Sequence, residues 1–152
     1  MRLRKGGCRC GRLRYEVVGE LGFVFNCHCR FCRQVHGAAF TTVAMLPRSA
    51  FEWSGASGEP SRFVTQQGAV RHFCGECAAP ICNHPREPEL LCLVVASLDE
   101  ELDSPPWAHV NTESKAPWFE IADGLPQYAT GPNAAEFQEL ARRNGRGADL
   151  SR

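Results

Sequence analysis

The 152-residue chain predicts a mainly β domain that ends in one short C-terminal helix. Three observations carry this. First, "RLRYEV" alternates strictly, with Leu13, Tyr15 and Val17 on one face and Arg12, Arg14 and Glu16 on the other, the period of a half-buried strand. Second, six further short apolar runs follow, separated by Gly, Pro and polar turn residues. Third, Asn133 stands three residues before Glu136, ahead of an apolar stripe of Phe137, Leu140 and Ala141. That is the capping box of a helix start.

The elements follow in order. Arg2, Arg4, Lys5, Arg9, Arg12 and Arg14 make the N-terminal stretch basic. With 17 Lys+Arg against 17 Asp+Glu in the whole chain, it reads as a solvated edge strand, and nucleic acid is not expected as a partner. "GFVFNCHC" continues as a second strand, and "AAFTTVAML" as a third, stopped by Pro47. "SRFVT" and "VRHFC" are short strands around the turn-like "QQGA". "LLCLVVASL" is a continuous apolar run suited to a central strand, and "WAHVNT" is a further strand. Gly145 ends the helix, and "RRNGRG" runs from it into a loose tail. Gly and Pro are scattered and no repeat or linker is visible. One domain is expected, with residues 1–132 as its zinc-binding β part and 133–152 as its helix and tail.

No run approaches the ~20 apolar residues of a membrane span. No apolar segment follows the charged start "MRLRKGGC" as a signal peptide requires. The expected location is therefore the cytoplasm, with no membrane partner, where thiols stay reduced. Nine cysteines in that setting point to metal binding.

The cysteines fall into three clusters: Cys8 and Cys10 in "GGCRCG", Cys27, Cys29 and Cys32 in "NCHCRFCRQ", and Cys74 and Cys77 in "FCGEC". A C-x-x-C turn brings two sulfurs to one side at metal distance. A C-x-C on an extended strand does the same, because residues two apart share a face. One such pair plus the other makes a closed four-thiolate site. Spacing alone leaves the pairing open, since Cys27 and Cys29 could equally join Cys74 and Cys77. Three sulfurs from one short stretch match a catalytic zinc, where three protein ligands leave the fourth position to solvent or substrate. His28 on a strand points away from Cys27 and Cys29 and is a poor fourth ligand. His36 reaches the metal only if a turn follows Cys32. Cys92 and Cys82 read as structural core residues.

Four segments, "GGCRCGRLRYEV", "NCHCRFCRQVHGAAF", "RHFCGECAAPIC" and "HVNTESKAPWFEIADGLPQY", together resemble the glutathione-dependent formaldehyde-activating enzyme family, which also includes centromere protein V. They run in the family's order from Gly6 to about Tyr128. The resemblance implies a β-tent of folded antiparallel sheets. It also implies two zinc ions per chain: a structural one on Cys8, Cys10, Cys74 and Cys77, and a catalytic one on Cys27, Cys29 and Cys32. The implied reaction joins formaldehyde to glutathione as S-hydroxymethylglutathione, the work of a carbon–sulfur lyase. One departure is Ala78, where the family usually has Gly. A left-handed backbone there costs an alanine on the order of 1 kcal/mol.

The chemistry expected of the trio is thiol activation, since zinc favours sulfur and coordination deprotonates a thiol. Arg30, Arg33 and Lys115 are candidates to meet the carboxylates of a glutathione-like thiol, although each also reads as ordinary surface charge. His109 and Trp118 read as core or edge packing. The alternative of another class is a non-catalytic binding module with both zincs structural. A third reading is a redox or zinc-buffering protein. A protein side chain as fourth ligand favours the module, and a small thiol or solvent favours the enzyme.

Overall fold

The computed structural model describes residues 1–85 and 87–145. The tail expected after the helix therefore lies outside the described residues from 146 onward. Among the described residues are ten strands: β1 (Leu3–Gly7), β2 (Arg14–Val18), β3 (Val24–Cys27), β4 (Thr41–Pro47), β5 (Phe51–Trp53), β6 (Ser61–Val64), β7 (Val70–Phe73), β8 (Pro80–His84), β9 (Leu90–Val94) and β10 (Ala108–Val110). Two helices accompany them, α1 (Arg30–His36) and α2 (Ala134–Arg143). The chain is mainly β with a short C-terminal helix, as expected. No described helix is long and apolar enough to cross a membrane. The fold divides into two compact units, one of 1–21 and 43–103, the other of 22–42 and the residues from 104.

In the first unit β1, β2 and β5 form an antiparallel sheet in that order. The alternation of "RLRYEV" is realised: Leu13, Tyr15 and Val17 are almost completely buried. Tyr15 stacks on Phe51 at 5.0 Å, and its hydroxyl bonds Ser97 Oγ at 2.8 Å. Gly6 lies directly beneath that ring. A Cβ there would meet Tyr15 Oη at 2.2 Å, so only glycine fits. The other strands of this unit run antiparallel in the order β4 (from Val43), β9, β8, β7, β6. Leu91 and Leu93 of β9 are fully buried, and Cys82 and Cys92 pack in the core as expected. A turn at Thr65–Ala69 joins β6 to β7, with Gly68 at φ +87°.

β1 is an edge strand, but its charges are not simply solvated. Arg4 is buried and donates to Asp103 (2.9 Å) and to the Gly19 carbonyl (3.2 Å). Arg2 pairs with Glu100 and Asp103, Lys5 with Glu16, and Arg14 with Asp99. The basic stretch is thus largely neutralised by acids of its own unit.

In the second unit β3 and β10 pair in parallel, with Ala108 opposite Phe25, His109 opposite Asn26 and Val110 opposite Cys27. This pair is parallel, whereas the strand pairs of the first unit are antiparallel. Phe23 stacks on Phe25 (4.8 Å) and meets Trp107 (5.6 Å) and Phe137 of α2 (5.3 Å), which docks the helix. The capping box is in place: Asn133 Oδ1 accepts from the Glu136 N–H, and Glu136 Oε2 accepts from the Asn133 N–H. Gly145 follows the helix at φ +69°.

Candidate metal centre

Cys8 follows β1, and a turn closed by the Gly11 N–H on the Cys8 carbonyl (3.1 Å) swings Cys10 back toward it. The sulfurs therefore meet through a turn and not along an extended strand. Cys74 ends the segment after β7, and the Ala78 N–H returns to its carbonyl at 2.9 Å, a tight knuckle that aims Cys77 at the same point. The knuckle holds Ala78 at φ +61°, the left-handed of the two backbones that the departure from Gly left open. The four sulfurs of Cys8, Cys10, Cys74 and Cys77 lie within 4.8 Å of one another. Cys8 to Cys10 is 3.5 Å and Cys10 to Cys74 is 3.6 Å. A tetrahedral zinc with Zn–S bonds of about 2.3 Å separates its sulfurs by about 3.8 Å, so this group fits a metal closely. The Ala79 backbone N–H draws the Cys77 thiol down to about 6.

The second group is built from one strand end and one helix start. Cys27 is the last residue of β3 and is buried. Cys29 caps α1 in an extended conformation, its sulfur accepting the Cys32 N–H at 3.3 Å. Cys32 lies one turn into the helix, three residues on, so both sulfurs face the same end. All three sulfurs fall within 4.8 Å of one another, and no histidine belongs to the group. The neighbouring sulfurs of Cys27 and Cys29, reinforced by burial, push the Cys32 thiol up. Three thiolates share this space only with a cation among them. Both clusters could hold metal ions. The helix that orders Cys29 and Cys32 was not foreseen, because "CRFCRQVH" is too short for an apolar period to show.

His28 leaves the strand pattern at the end of β3. Its backbone N–H donates to the Val110 carbonyl (3.0 Å) and its ring is fully buried against Phe40 and Phe119. Burial lowers its pKa to about 4, so it is neutral. Its Nε2 meets His109 Nδ1 at 2.7 Å, and His109 Nε2 donates to Asp123 Oδ2 at 2.8 Å. Burial opposes ionisation of Asp123, but the His109 N–H and the Leu125 backbone N–H act together against it, and the carboxyl is held below its usual range. His109 is thus an interior link, not an edge residue. Asn111 is also close: its side-chain amide donates to Cys27 Sγ at 3.3 Å. Single residues gave no sign of these partnerships, and two of them, His28 with His109 and Asn111 with Cys27, join segments some eighty residues apart.

The candidate cations are distributed unequally. Arg30, Arg33, Gln34, Gly37, Ala38 and Trp118 line a cleft of about 250 Å³, with no carboxylate among the described residues of its wall. Arg33 also donates to the Ser114 carbonyl at 2.8 Å. Lys115 is tied to the carbonyls of Ala116 and Phe119 and borders a second depression, whose lining includes Glu120. Trp118 is not packed: it is 72% exposed and borders both.

The comparisons agree with this architecture. The family model described as "Glutathione-dependent formaldehyde-activating enzyme" matches residues 3–114. A Halomonas elongata protein named as a candidate glutathione-dependent formaldehyde-activating enzyme is 31% identical over 128 residues, covering 78% of this chain and 81% of its own. The crystal structure of a Rhodobacter sphaeroides protein superposes with a TM-score of 0.54 at 22% identity, over 65% of this chain and 91% of that one, a likeness of fold alone.

Proposed function

The chain belongs to the glutathione-dependent formaldehyde-activating enzyme family, and from that premise we propose that it is a zinc enzyme, a carbon–sulfur lyase that joins a small glutathione-like thiol to an aldehyde such as formaldehyde. The observation that carries this reading is the trio. Cys27, Cys29 and Cys32 converge with no fourth protein ligand among the described residues, at the start of the helix that also lines the Arg30–Trp118 cleft.

In this reading Cys8, Cys10, Cys74 and Cys77 hold a structural zinc, and Cys27, Cys29 and Cys32 hold the second. When bound, that second zinc supplies a site where a substrate thiol ionises. The three thiolates leave the centre with net negative charge, which keeps a substrate sulfur nucleophilic. The sulfur forms the new C–S bond, the carbonyl π pair moves to oxygen, and the oxygen takes up the proton released by the thiol. The reverse splits the adduct. Arg30 lines the cleft as an exposed cation, and in this reading it meets a substrate carboxylate. Arg33 contributes its charge to the same wall while its Nη1 stays on Ser114, and Lys115 acts mainly on its own loop.

Cobalt substitution tests the reading. Glutathione is expected to alter the sulfur-to-cobalt charge-transfer bands, while S-methylglutathione, with no ionisable thiol, leaves them nearly unchanged. Arg30→Ala weakens glutathione more than 2-mercaptoethanol. Exchange between free formaldehyde and S-hydroxymethylglutathione runs faster than the spontaneous rate. If no thiol perturbs the spectrum, the substrate site is wrong. A thiol response without faster exchange keeps the site and rejects formaldehyde as its aldehyde.

A further inference from the structure

Asn111 occupies the position that precedes the short 3-10 turn Thr112–Ser114, where an asparagine ordinarily caps the turn with its own side chain. Here it makes no such cap. The amide turns away instead and donates from Nδ2 to Cys27 Sγ at 3.3 Å. To do so the residue sits at φ +55° and ψ +36°, the left-handed backbone that asparagine tolerates better than other residues bearing a side chain. Its own N–H is anchored on the Thr130 carbonyl at 2.6 Å, and its carbonyl takes the Ser114 N–H at 3.1 Å. The register of β10 sets Val110 opposite Cys27, so Asn111 emerges just past the last residue of β3. A forgone cap and an unfavourable backbone both accompany this single N–H···S contact.

The Cys29 sulfur takes the Cys32 backbone N–H and the Cys27 sulfur takes the Cys29 backbone N–H, donors that any residue other than proline would supply, whereas the Asn111 amide on Cys27 depends on the identity of one side chain. An N–H aimed at a thiolate withdraws part of its charge and fixes the direction of its lone pairs. Partners of this kind orient metal ligands and adjust how strongly they donate.

We propose that Asn111 is a positioning residue of the trio: it orients the Cys27 sulfur toward the metal and lowers its charge, so that Cys27 remains a ligand while the added thiol carries the reactive sulfur. This rests on the reading that the trio holds a metal. Two variants separate the role from mere folding. Asn111→Gly keeps the left-handed backbone without strain and removes the donor. Asn111→Asp keeps the shape and places a carboxylate oxygen against the sulfur.

The measurement is competition of a chelator for the loosely held cobalt in the full chain, together with the sulfur-to-cobalt charge-transfer band. Cys29→Ser assigns that signal to the trio. Affinity is expected to fall about tenfold in Asn111→Gly and toward a hundredfold in Asn111→Asp, the range for lost partners of metal ligands. The band is expected to move in both, with melting of the glycine variant unchanged. If the unsubstituted protein binds this cobalt and both variants bind it within twofold with the same band, the inference is overturned and the metal reading survives. If the unsubstituted protein takes up no cobalt at the trio, both are overturned.

Discussion

Ala78 is held at φ +61° by the knuckle that turns Cys74 toward Cys77. Alanine in this backbone costs on the order of 1 kcal/mol, which glycine avoids. Ala78→Gly in the metal-loaded protein should therefore raise Tm by about 2–4 °C, the shift that 1 kcal/mol produces in a domain of this size. An unchanged or lower Tm would mean that the turn is stiffened by alanine more than it is strained. His109 is the opposite case, a residue whose value comes from its partner. His109→Phe fills the space but leaves the buried His28 Nε2 unpaired. The expected loss is about 1–3 kcal/mol, the cost of stranding a buried polar group. Asp123→Asn, at a half-exposed carboxylate, should cost clearly less. Denaturant midpoints for the two variants check the order.

Helix α1 is only seven residues long, and its shape depends on its ends. The Cys29 sulfur closes the first turn, and Gly37 at φ +60° closes the last with its N–H on the Arg33 carbonyl. Nothing lies near a Cβ built on Gly37, so Gly37→Ala tests the backbone alone. It should destabilise the helix end by about 1 kcal/mol and loosen metal at the trio more than at the four-cysteine group, as metal release under mild chelation will report. At α2, Asn133→Ala removes half of a capping box, with an expected loss of about 1 kcal/mol visible by thermal melting. The two helices also differ in how legible they were. The ten residues of α2 carry an apolar stripe and a start signal, whereas α1 carries neither. Strand β10 was legible as a strand, but its parallel pairing with β3 was not. An apolar run shows that it is buried and does not show which neighbour it meets.

Each of the two compact units holds one complete cysteine group, and the groups should behave differently in the whole protein. The four-cysteine group joins the N-terminus to residues about 65 positions away, so metal binding there is folding energy. Cys74→Ser should lower Tm by about 10 °C or more, since several kcal/mol are lost with one ligand of a closed site. Cys29→Ser should leave Tm and far-UV circular dichroism almost unchanged while abolishing thiol binding. Mild chelation should remove about one metal equivalent with the fold retained, because a three-ligand site is the weaker of the two. The reverse pattern in these measurements would exchange the two roles.

Local chemistry was readable from the chain because it is set by neighbours in sequence. Alternation placed Leu13, Tyr15 and Val17 inside, the capping box marked α2, and the spacings C-x-C, C-x-x-C and C-x-C-x-x-C grouped the thiols. The family pattern then paired those groups across distance; the sulfurs of Cys8, Cys10, Cys74 and Cys77 lie within 4.8 Å of one another, as do those of Cys27, Cys29 and Cys32. What spacing alone left open depended on long-range contact. Whether Arg4 faced solvent or Asp103, whether His28 served a metal or His109, and whether Asn111 capped its own turn or met Cys27 were all decided by the fold. A buried polar atom must find a partner, and the fold determines which atoms come within 3 Å of it.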